Sequence, residues 1–563
     1  MPTGGGKSIC YQVPALASQD LTIVVSPLIA LMNDQVSAMD QLGVAAAAIH
    51  SNIPSHELNE IYEAISAGNL SLLYVSPERI MTDRFLDYLT RSVKVSLIAI
   101  DEAHCVSVWG NDFRPEYVAL GKLKDYFPNV PTIALTATAD TATQADIVKQ
   151  LRLNNANQFL SSFERHNITT NTAPGQKRMQ QILKFVKERK GKSGIIYCLS
   201  RKSTETVASN LAAKGFKALA YHARIPGEER ASIQERFQND EVDIICATIA
   251  FGMGIDKPNI RYVIHYNLPK NIEGYYQEIG RAGRDGQPSE ALLFYSWADK
   301  TNLQKFIDES PAKASFKEIQ TVKLDRMWQF ASSDNCRTNT ILNYFGEYRN
   351  DTCGHCDNCI DPPPKLDGTK YAQMALSAII RGGQKMGLGL LADVLRGSYR
   401  QDIKNLGLDQ IKTFGIGRDI PYLHWSHYIT QFINQGIIQL DVTDYSRLKI
   451  TPLSEAILKG NQTVEITEFK KQVAAQPIKK AKPVLNHIDI DRDLLKSLKE
   501  WRTEQANEMR VPPYRIFSNK TLDYLAAERP MTKSDLLDID GIGKKKLEMF
   551  GDQLIEIIES FEE

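Results

Sequence analysis

The feature that most constrains the fold is Asp101-Glu102-Ala103-His104, reached through Val95-Ser96-Leu97-Ile98-Ala99-Ile100. An apolar run of that length, bounded by charge, reads as a strand buried on both faces of a parallel sheet. Open α/β sheets place their ligands at the carboxyl ends of such strands. Two adjacent carboxylates there can divide the labour: Asp101 holds Mg²⁺ through water, while Glu102 orients and deprotonates the water that attacks a γ-phosphate. Taken alone, an Asp-Glu pair after a core strand is more often plain surface. Gly4-Gly5-Gly6-Lys7-Ser8 upstream reverses those odds, because it reads as a phosphate loop. Backbone from Thr3, Gly4, Gly5 and Gly6 would cradle phosphate, Lys7 would reach the β/γ-phosphates, and Ser8 would meet Mg²⁺. Such a loop is normally entered from a strand, yet Met1 stands where its first glycine belongs. The reading therefore expects a segment upstream of this start.

At 563 residues the chain exceeds a single core, so three or four domains are expected. With 67 basic and 67 acidic residues no global field favours nucleic acid, but residues 368–487 carry a net +7 and residues 488–563 a net −5. A polyanion surface therefore belongs to the third quarter of the chain. No apolar run reaches the ~18 residues of a membrane span, and the amino terminus has no signal-peptide plan. A cytosolic protein, with reduced cysteines, is expected.

Two further strand ends, Val25-Ser26-Pro27 and Val75-Ser76-Pro77, offer hydroxyls and N–H groups able to grip phosphates of a single strand through Ser26 and Ser76. Trp109, Phe113 and Arg114 lie in a Gly- and Pro-punctuated loop just past the carboxylates, where aromatics and an arginine can stack on bases. Leu135-Thr136-Ala137-Thr138-Ala139 ends another strand with two hydroxyls suited to coupling the nucleotide site to its neighbours. A second α/β unit has strands at 194–198, 218–222 and 242–248 and no phosphate-loop lysine. It does carry Gln277-Glu278-Ile279-Gly280-Arg281-Ala282-Gly283-Arg284. Its two arginines, i and i+3 on one helical face, can reach across a cleft to a γ-phosphate.

Cys336, Cys353, Cys356 and Cys359 have the spacing C-x16-C-x2-C-x2-C. Four thiolates so placed suit a closed, structural Zn²⁺, with Cys336 supplied by a helix predicted over 322–345. After Pro362-Pro363-Pro364, helices predicted at 408–414 and 424–435 and a hairpin at 437–442 and 447–451 make a winged-helix plan. Residues 461–487 read as a basic tether.

In order and spacing these motifs resemble the RecQ family of superfamily 2 DNA helicases. The resemblance rests on G-G-G-K-S, S-P-L-I-A-L-M, D-E-A-H, W-G-x-D-F-R-P, L-T-A-T-A, A-F-G-M-G-I-D-K-P (250–258) and Q-E-x-G-R-A-G-R-D-G. It implies an ATP-dependent helicase, moving 3′ to 5′ on single-stranded and forked duplex DNA in recombination, replication and repair. Repair and single-strand-binding proteins are its expected partners. Lys7, Ser8, Asp101 and Glu102 would then serve hydrolysis, Arg281 and Arg284 would sense the γ-phosphate, and Trp109, Phe113 and Arg114 would form a DNA-sensing loop. The carboxyl-terminal Arg510-Val511-Pro512-Pro513-Tyr514-Arg515-Ile516-Phe517 resembles the helicase-and-RNase-D C-terminal domain, and Asp540 to Lys546 could meet a phosphate there. The implied architecture is α/β: two RecA-like parallel-sheet domains (1–160 and 161–305), a zinc-binding helical domain (306–365), a winged helix (366–460), the tether (461–487) and a small all-α domain (488–563).

The chain departs from the family's pattern at Val108, Asn111 and Arg224, where Gln, His and Gly are usual. Losing two polar groups from the sensing loop implies looser coupling of DNA to hydrolysis. The resemblance also places an adenine-reading segment before the phosphate loop, upstream of Met1. The rival reading is a DNA-structure-binding protein with a disabled motor.

Overall fold

The computed structural model describes residues 1–561 apart from 3, 51–52, 110–112, 250, 252–256, 350, 470–491, 510, 538 and 540. Thr3, Asn111, Arg510, Asp540, most of the 250–258 motif and most of the tether therefore lie outside the described residues. The chain divides into two compact units, Met1–Phe469 and Lys470–Glu563.

The first unit opens with a five-stranded sheet: β1 (Leu21–Val25), β2 (Ala46–Ile49), β3 (Leu72–Val75), β4 (Val95–Ile100) and β5 (Thr132–Ala134), in the order β2-β3-β1-β4-β5. Every neighbouring pair is parallel, so helices must cross over and cover both faces. Alternation of side chains then fills two cores from one strand. Ile23, Val25, Ile98 and Ile100 pack on one side, and Val24, Tyr74 and Ala99 on the other.

The second sheet has β6 (Ile168–Pro174), β7 (Gly194–Tyr197), β8 (Ala218–Tyr221), β9 (Ile244–Ala247), β10 (Tyr262–His265) and β11 (Ser289–Tyr295), in the order β6-β11-β10-β7-β9-β8. Its pairs are also all parallel. One of its cores runs without a break into Leu324, Met327, Phe330, Ile341 and Phe345. The helices Ala314–Ser332 and Arg337–Tyr344 are thereby part of the second sheet's body.

The continuous helix predicted over 322–345 is broken instead at Ser333-Asp334-Asn335. Ser333 Oγ accepts from Asn335 N at 2.9 Å, a local side-chain bond that competes with the helix. Cys336 consequently sits at the N-cap of the next helix, with extended φ −53° and ψ 122°.

A third core gathers helices Thr369–Arg381, Leu388–Arg396 and Tyr422–Asn434 against the hairpin β13 (Ile438–Asp441) and β14 (Arg447–Ile450). The helix predicted at 408–414 is only one short turn, Leu408–Gln410. The tether also begins later than its composition suggested. β12 (Lys365–Asp367) pairs antiparallel with β15 (Glu465–Thr467), and Val464 and Ile466 are fully buried, so this apolar pair stitches 464–467 onto the winged helix.

The second unit is helical, with Arg492–Glu508, Asn519–Glu528 and Lys544–Glu559 around Leu498, Phe517, Leu525 and Leu554. Among the described residues no helix is long and apolar enough to cross a membrane.

Candidate nucleotide, nucleic-acid and metal sites

The glycine-rich loop owes its shape to backbone angles that side chains resist. Gly4 and Gly6 have φ of +79° and +75°, in the left-handed region that glycine enters without steric cost. Gly5 N donates to Pro2 O at 3.0 Å, and a Cβ on Gly5 would stand 3.0 Å from that oxygen. Lys7 and Ser8 follow, half-buried, at the start of helix Ile9–Ala17. Ser8 makes no side-chain cap bond.

Beside this loop β4 delivers the carboxylates. Asp101 N donates to Val25 O at 2.9 Å, and Tyr117 Oη donates to Asp101 O at 3.1 Å. Glu102 is left-handed, φ 47° and ψ 44°, with its N–H on Asp101 Oδ1 at 2.9 Å. A non-glycine residue holds that conformation only where its surroundings enforce it. His104, nearly sealed, sets Nδ1 2.9 Å from Thr136 Oγ1 and 3.3 Å from Glu102 Oε2.

Burial, then the charge of Glu102, raises Asp101 above the usual carboxylate range. Burial pushes Glu102 the same way, but Lys7, His104 and Arg281 outweigh it and hold Glu102 well below that range. The pair is split into a reluctant anion and a firm one. Two nearby hydroxyls, Ser26 Oγ and Thr138 Oγ1, are buried with no hydrogen-bond partner among the described residues.

The second sheet presents its arginines to the same place. Helix Ile272–Ile279, capped by Asn271 Oδ1 accepting from Gly274 N at 2.8 Å, runs into Gly280 and Arg281. Arg165 forks onto the carbonyls of Gly280 (3.2 Å), Ala282 (3.0 Å) and Gly283 (3.0 Å), while Asn167 Nδ2 donates to Gly283 O at 2.8 Å. Gly283 has φ +58°, and a Cβ there would fall 2.4 Å from Asn167 Nδ2, so the turn admits only glycine. Arg281 is buried beside Tyr197, whose phenol burial pushes up to about 12 against the pull of that guanidinium. Arg284 leans on the phosphate loop, its Cγ 3.2 Å from where a Cβ on Gly4 would be.

Lys7, Ser8, Asp101, Glu102, Arg281 and Arg284 are thus brought together from two sheets. Thr136 is one of the two hydroxyls expected to couple this site to its neighbours. The motif that contains His104 gives that residue no role of its own, and Arg165, outside every motif, gives no signal.

The proposed DNA contacts are less uniform. Trp109 and Phe113 are half-buried. Arg114 donates its Nη1 to Pro27 O at 3.1 Å and its N–H to Cys105 O at 2.9 Å, tying the loop to the first Ser-Pro strand end. Ser76 is half-buried. Ser26 is 2 % exposed, so in this conformation its hydroxyl is closed to a polynucleotide phosphate. The alternation that buries Thr22 and Val24 within a covered sheet carries on into it.

The sulfurs of Cys336, Cys353, Cys356 and Cys359 all lie within 4.8 Å of one another, with Cys353 to Cys359 at 3.8 Å and Cys356 to Cys359 at 3.4 Å. A tetrahedron with ~2.3 Å zinc–sulfur bonds has edges of ~3.8 Å, so the donor set fits Zn²⁺. Backbone N–H groups of Cys353 and Arg337 point at Cys336 Sγ and Cys356 Sγ, both at 3.4 Å. Next to the cluster, Asp357 accepts from Arg337 Nε at 3.0 Å and from Thr172 N of β6 at 2.9 Å, which fastens the zinc module to the second sheet.

A phosphate loop and carboxylates on one parallel sheet, faced by arginines from another, define a two-domain nucleotide-driven motor. Family models agree: the DEAD/DEAH box helicase model matches residues 1–147 and the helicase conserved C-terminal domain 177–286. The RecQ zinc-binding model matches 297–360, the RQC domain 362–475 and the HRDC domain 491–558. Curated relatives called ATP-dependent DNA helicase RecQ are similar along the whole chain. That of Haemophilus influenzae is 43% identical, over 99% of this chain and 90% of its own length. Those of Pasteurella multocida (43%, over 99% and 88%) and Bacillus subtilis (37%, over 100% and 93%) follow. The chain belongs to the RecQ family of ATP-dependent DNA helicases.

Proposed function

We propose that ATP binds between the two sheets, and that its hydrolysis moves the chain 3′ to 5′ along one DNA strand and opens the duplex ahead. The observation that carries this reading is the approach of Arg281 and Arg284 to Glu102 and the phosphate loop. In it, hydrolysis needs both sheets at once. Lys7 and the loop's N–H groups hold the β/γ-phosphates. The buried hard oxygen of Asp101, with the Ser8 hydroxyl, suits Mg²⁺, which when bound neutralises charge between the phosphates. Glu102, held anionic, takes the proton of the attacking water, and His104 and Thr136 fix its direction. Arg281 and Arg284 stabilise charge on the transferring phosphoryl group. Trp109 and Phe113 stack on bases of the tracked strand, and Arg114 braces their loop.

The activity belongs in the cytosol, with proteins that coat or repair single strands as its partners. Fluorescently labelled duplexes with 3′ or 5′ tails test the reading. The parent is expected to unwind only the 3′-tailed substrate with ATP, and Lys7→Ala to unwind neither while binding both. A binder with a disabled motor would show no DNA-stimulated ATP turnover in the parent.

A further inference from the structure

Lys323 lies on helix Ala314–Ser332 of the zinc module, outside the sequence motifs, with a side chain that is 0 % exposed. A sealed ammonium needs partners. It has two, from different sheets: it donates to the backbone oxygen of Trp109 and to Glu273 Oε1. Trp109 belongs to the sensing loop of the first sheet. Glu273, 2 % exposed, stands in the first turn of helix Ile272–Ile279, whose other end leads into Arg281. Asp140, which caps the helix after Leu135 to Ala139 by accepting from Thr143 N at 2.8 Å, feels the same ammonium.

The contact is asymmetric. Leu324, Met327 and Phe330 share one core with Ile195, Tyr197 and Val263, so Lys323 and Glu273 move as one body with the second sheet. The Trp109 oxygen moves with the first. The contact therefore joins the sensing loop of the first sheet to the helix Ile272–Ile279 of the second.

We propose that the Lys323–Glu273 pair is the receiver for the sensing loop. DNA that holds Trp109 in position presents its carbonyl to Lys323, and the pair passes that position to the helix that leads into the Arg281 turn. Lys323 and Glu273 are then positioning residues for hydrolysis, not catalytic ones. The proposal rests on the reading of Trp109 as part of the DNA-sensing loop.

The test compares ATP turnover with and without single-stranded DNA. Lys323→Met alone leaves a buried carboxylate unpaired and can unfold the site, whereas neutralising both partners is far better tolerated. The decisive variant is Lys323→Met with Glu273→Gln. Zinc content, thermal midpoint, DNA affinity and DNA-free turnover are expected near the parent's, while DNA stimulation falls about tenfold, within the ~5–150-fold span of site-to-site couplings. Adding Trp109→Ala should then cost little more, because both changes cut one path. Parental stimulation in the neutral pair overturns the proposal, as does an equal loss of DNA-free turnover. If the neutral pair does not accumulate, Lys323→Arg decides. It keeps the charge beside Glu273, but the longer, planar guanidinium cannot set one charged nitrogen against both the Trp109 oxygen and Glu273 in a site sealed around an ammonium. Stimulation should fall at unchanged zinc content, and parental stimulation overturns the idea. Trp109→Ala alone separates the two readings: if it keeps full stimulation the loop assignment fails, and if it loses stimulation while the neutral pair keeps it, only the receiver fails.

Discussion

The nucleotide cleft and the cysteine cluster are both small groups of ionisable side chains, yet they are built on opposite plans. The cluster is local: three of its sulfurs come from one seven-residue stretch, Cys353 to Cys359, and backbone N–H groups already point at Cys336 Sγ and Cys356 Sγ. The cleft draws on residues as far apart as Gly4 and Arg284, holds Glu102 in a left-handed conformation, and leaves the hydroxyls of Ser26 and Thr138 buried without partners among the described residues. Each such hydroxyl costs about 1–3 kcal/mol. A closed site of that kind serves folding, and an incompletely satisfied one serves a ligand that arrives and leaves. Variants in the cleft should change turnover at constant stability, and variants in the cluster the reverse.

The largest separation is expected from Arg281→Ala and Glu102→Gln. Removing a transition-state arginine lowers turnover by roughly 10³-fold or more, and both side chains lie outside the hydrophobic cores. Steady-state hydrolysis should collapse while DNA affinity, read by fluorescence anisotropy, stays within a few-fold. A tenth of parental turnover in either variant would put the chemistry elsewhere.

Cys356→Ala should act in the other direction. A tetrahedral thiolate site contributes folding energy directly, so zinc by elemental analysis, solubility and thermal midpoint should fall together. Whatever folded fraction remains should keep DNA-free hydrolysis. Parental stability without zinc would remove the contrast.

Arg165 sharpens the comparison, because it grips three carbonyls of the arginine turn. Loosening that turn should lower turnover about tenfold, equivalent to ~1.4 kcal/mol, with zinc content unchanged. Arg165→Lys should resemble Arg165→Ala, since an ammonium cannot reproduce the fork. Rescue by lysine would mean that only the charge matters.

These cases also mark what the sequence discloses. The cysteine cluster was legible because close spacing becomes proximity with little help from the fold. The β-sheet plan was legible from apolar runs that end in chemistry, as at Ile100-Asp101. The break before Cys336 was not, because Ser333 and Asn335 override a good helical pattern through one short side-chain bond. The burial of Ser26 was hidden because β1 is covered on both faces and a motif does not say how far past the strand end that cover extends. Arg165 and, in part, Lys323 were hidden for a deeper reason: Arg165 grips backbone oxygens and Lys323 donates to one besides Glu273, and a carbonyl leaves no mark in a sequence.

The smallest effect concerns the backbone of Glu102. Its φ of 47° places a non-glycine residue where the Cβ meets the neighbouring carbonyl, at a cost of order 1–2 kcal/mol. Backbone bonds on either side hold that conformation: the Glu102 carbonyl accepts from Cys105 N at 2.9 Å, and Ala103 N donates to Leu135 O at 2.9 Å. Comparing Glu102→Gly with Glu102→Ala removes the carboxylate in both and leaves only the Cβ between them. At an ordinary loop position glycine would be the less stable of the two by about 0.4–1 kcal/mol, because its unfolded chain is freer. At a left-handed position the sign inverts. The glycine variant should be the more stable by about 1 kcal/mol, read as a higher denaturant midpoint for the transition of the first sheet, with both variants equally inactive. If alanine proves equal or more stable, the left-handed turn relaxes once the carboxylate is gone, and its strain is a consequence of the charge rather than of the strand end.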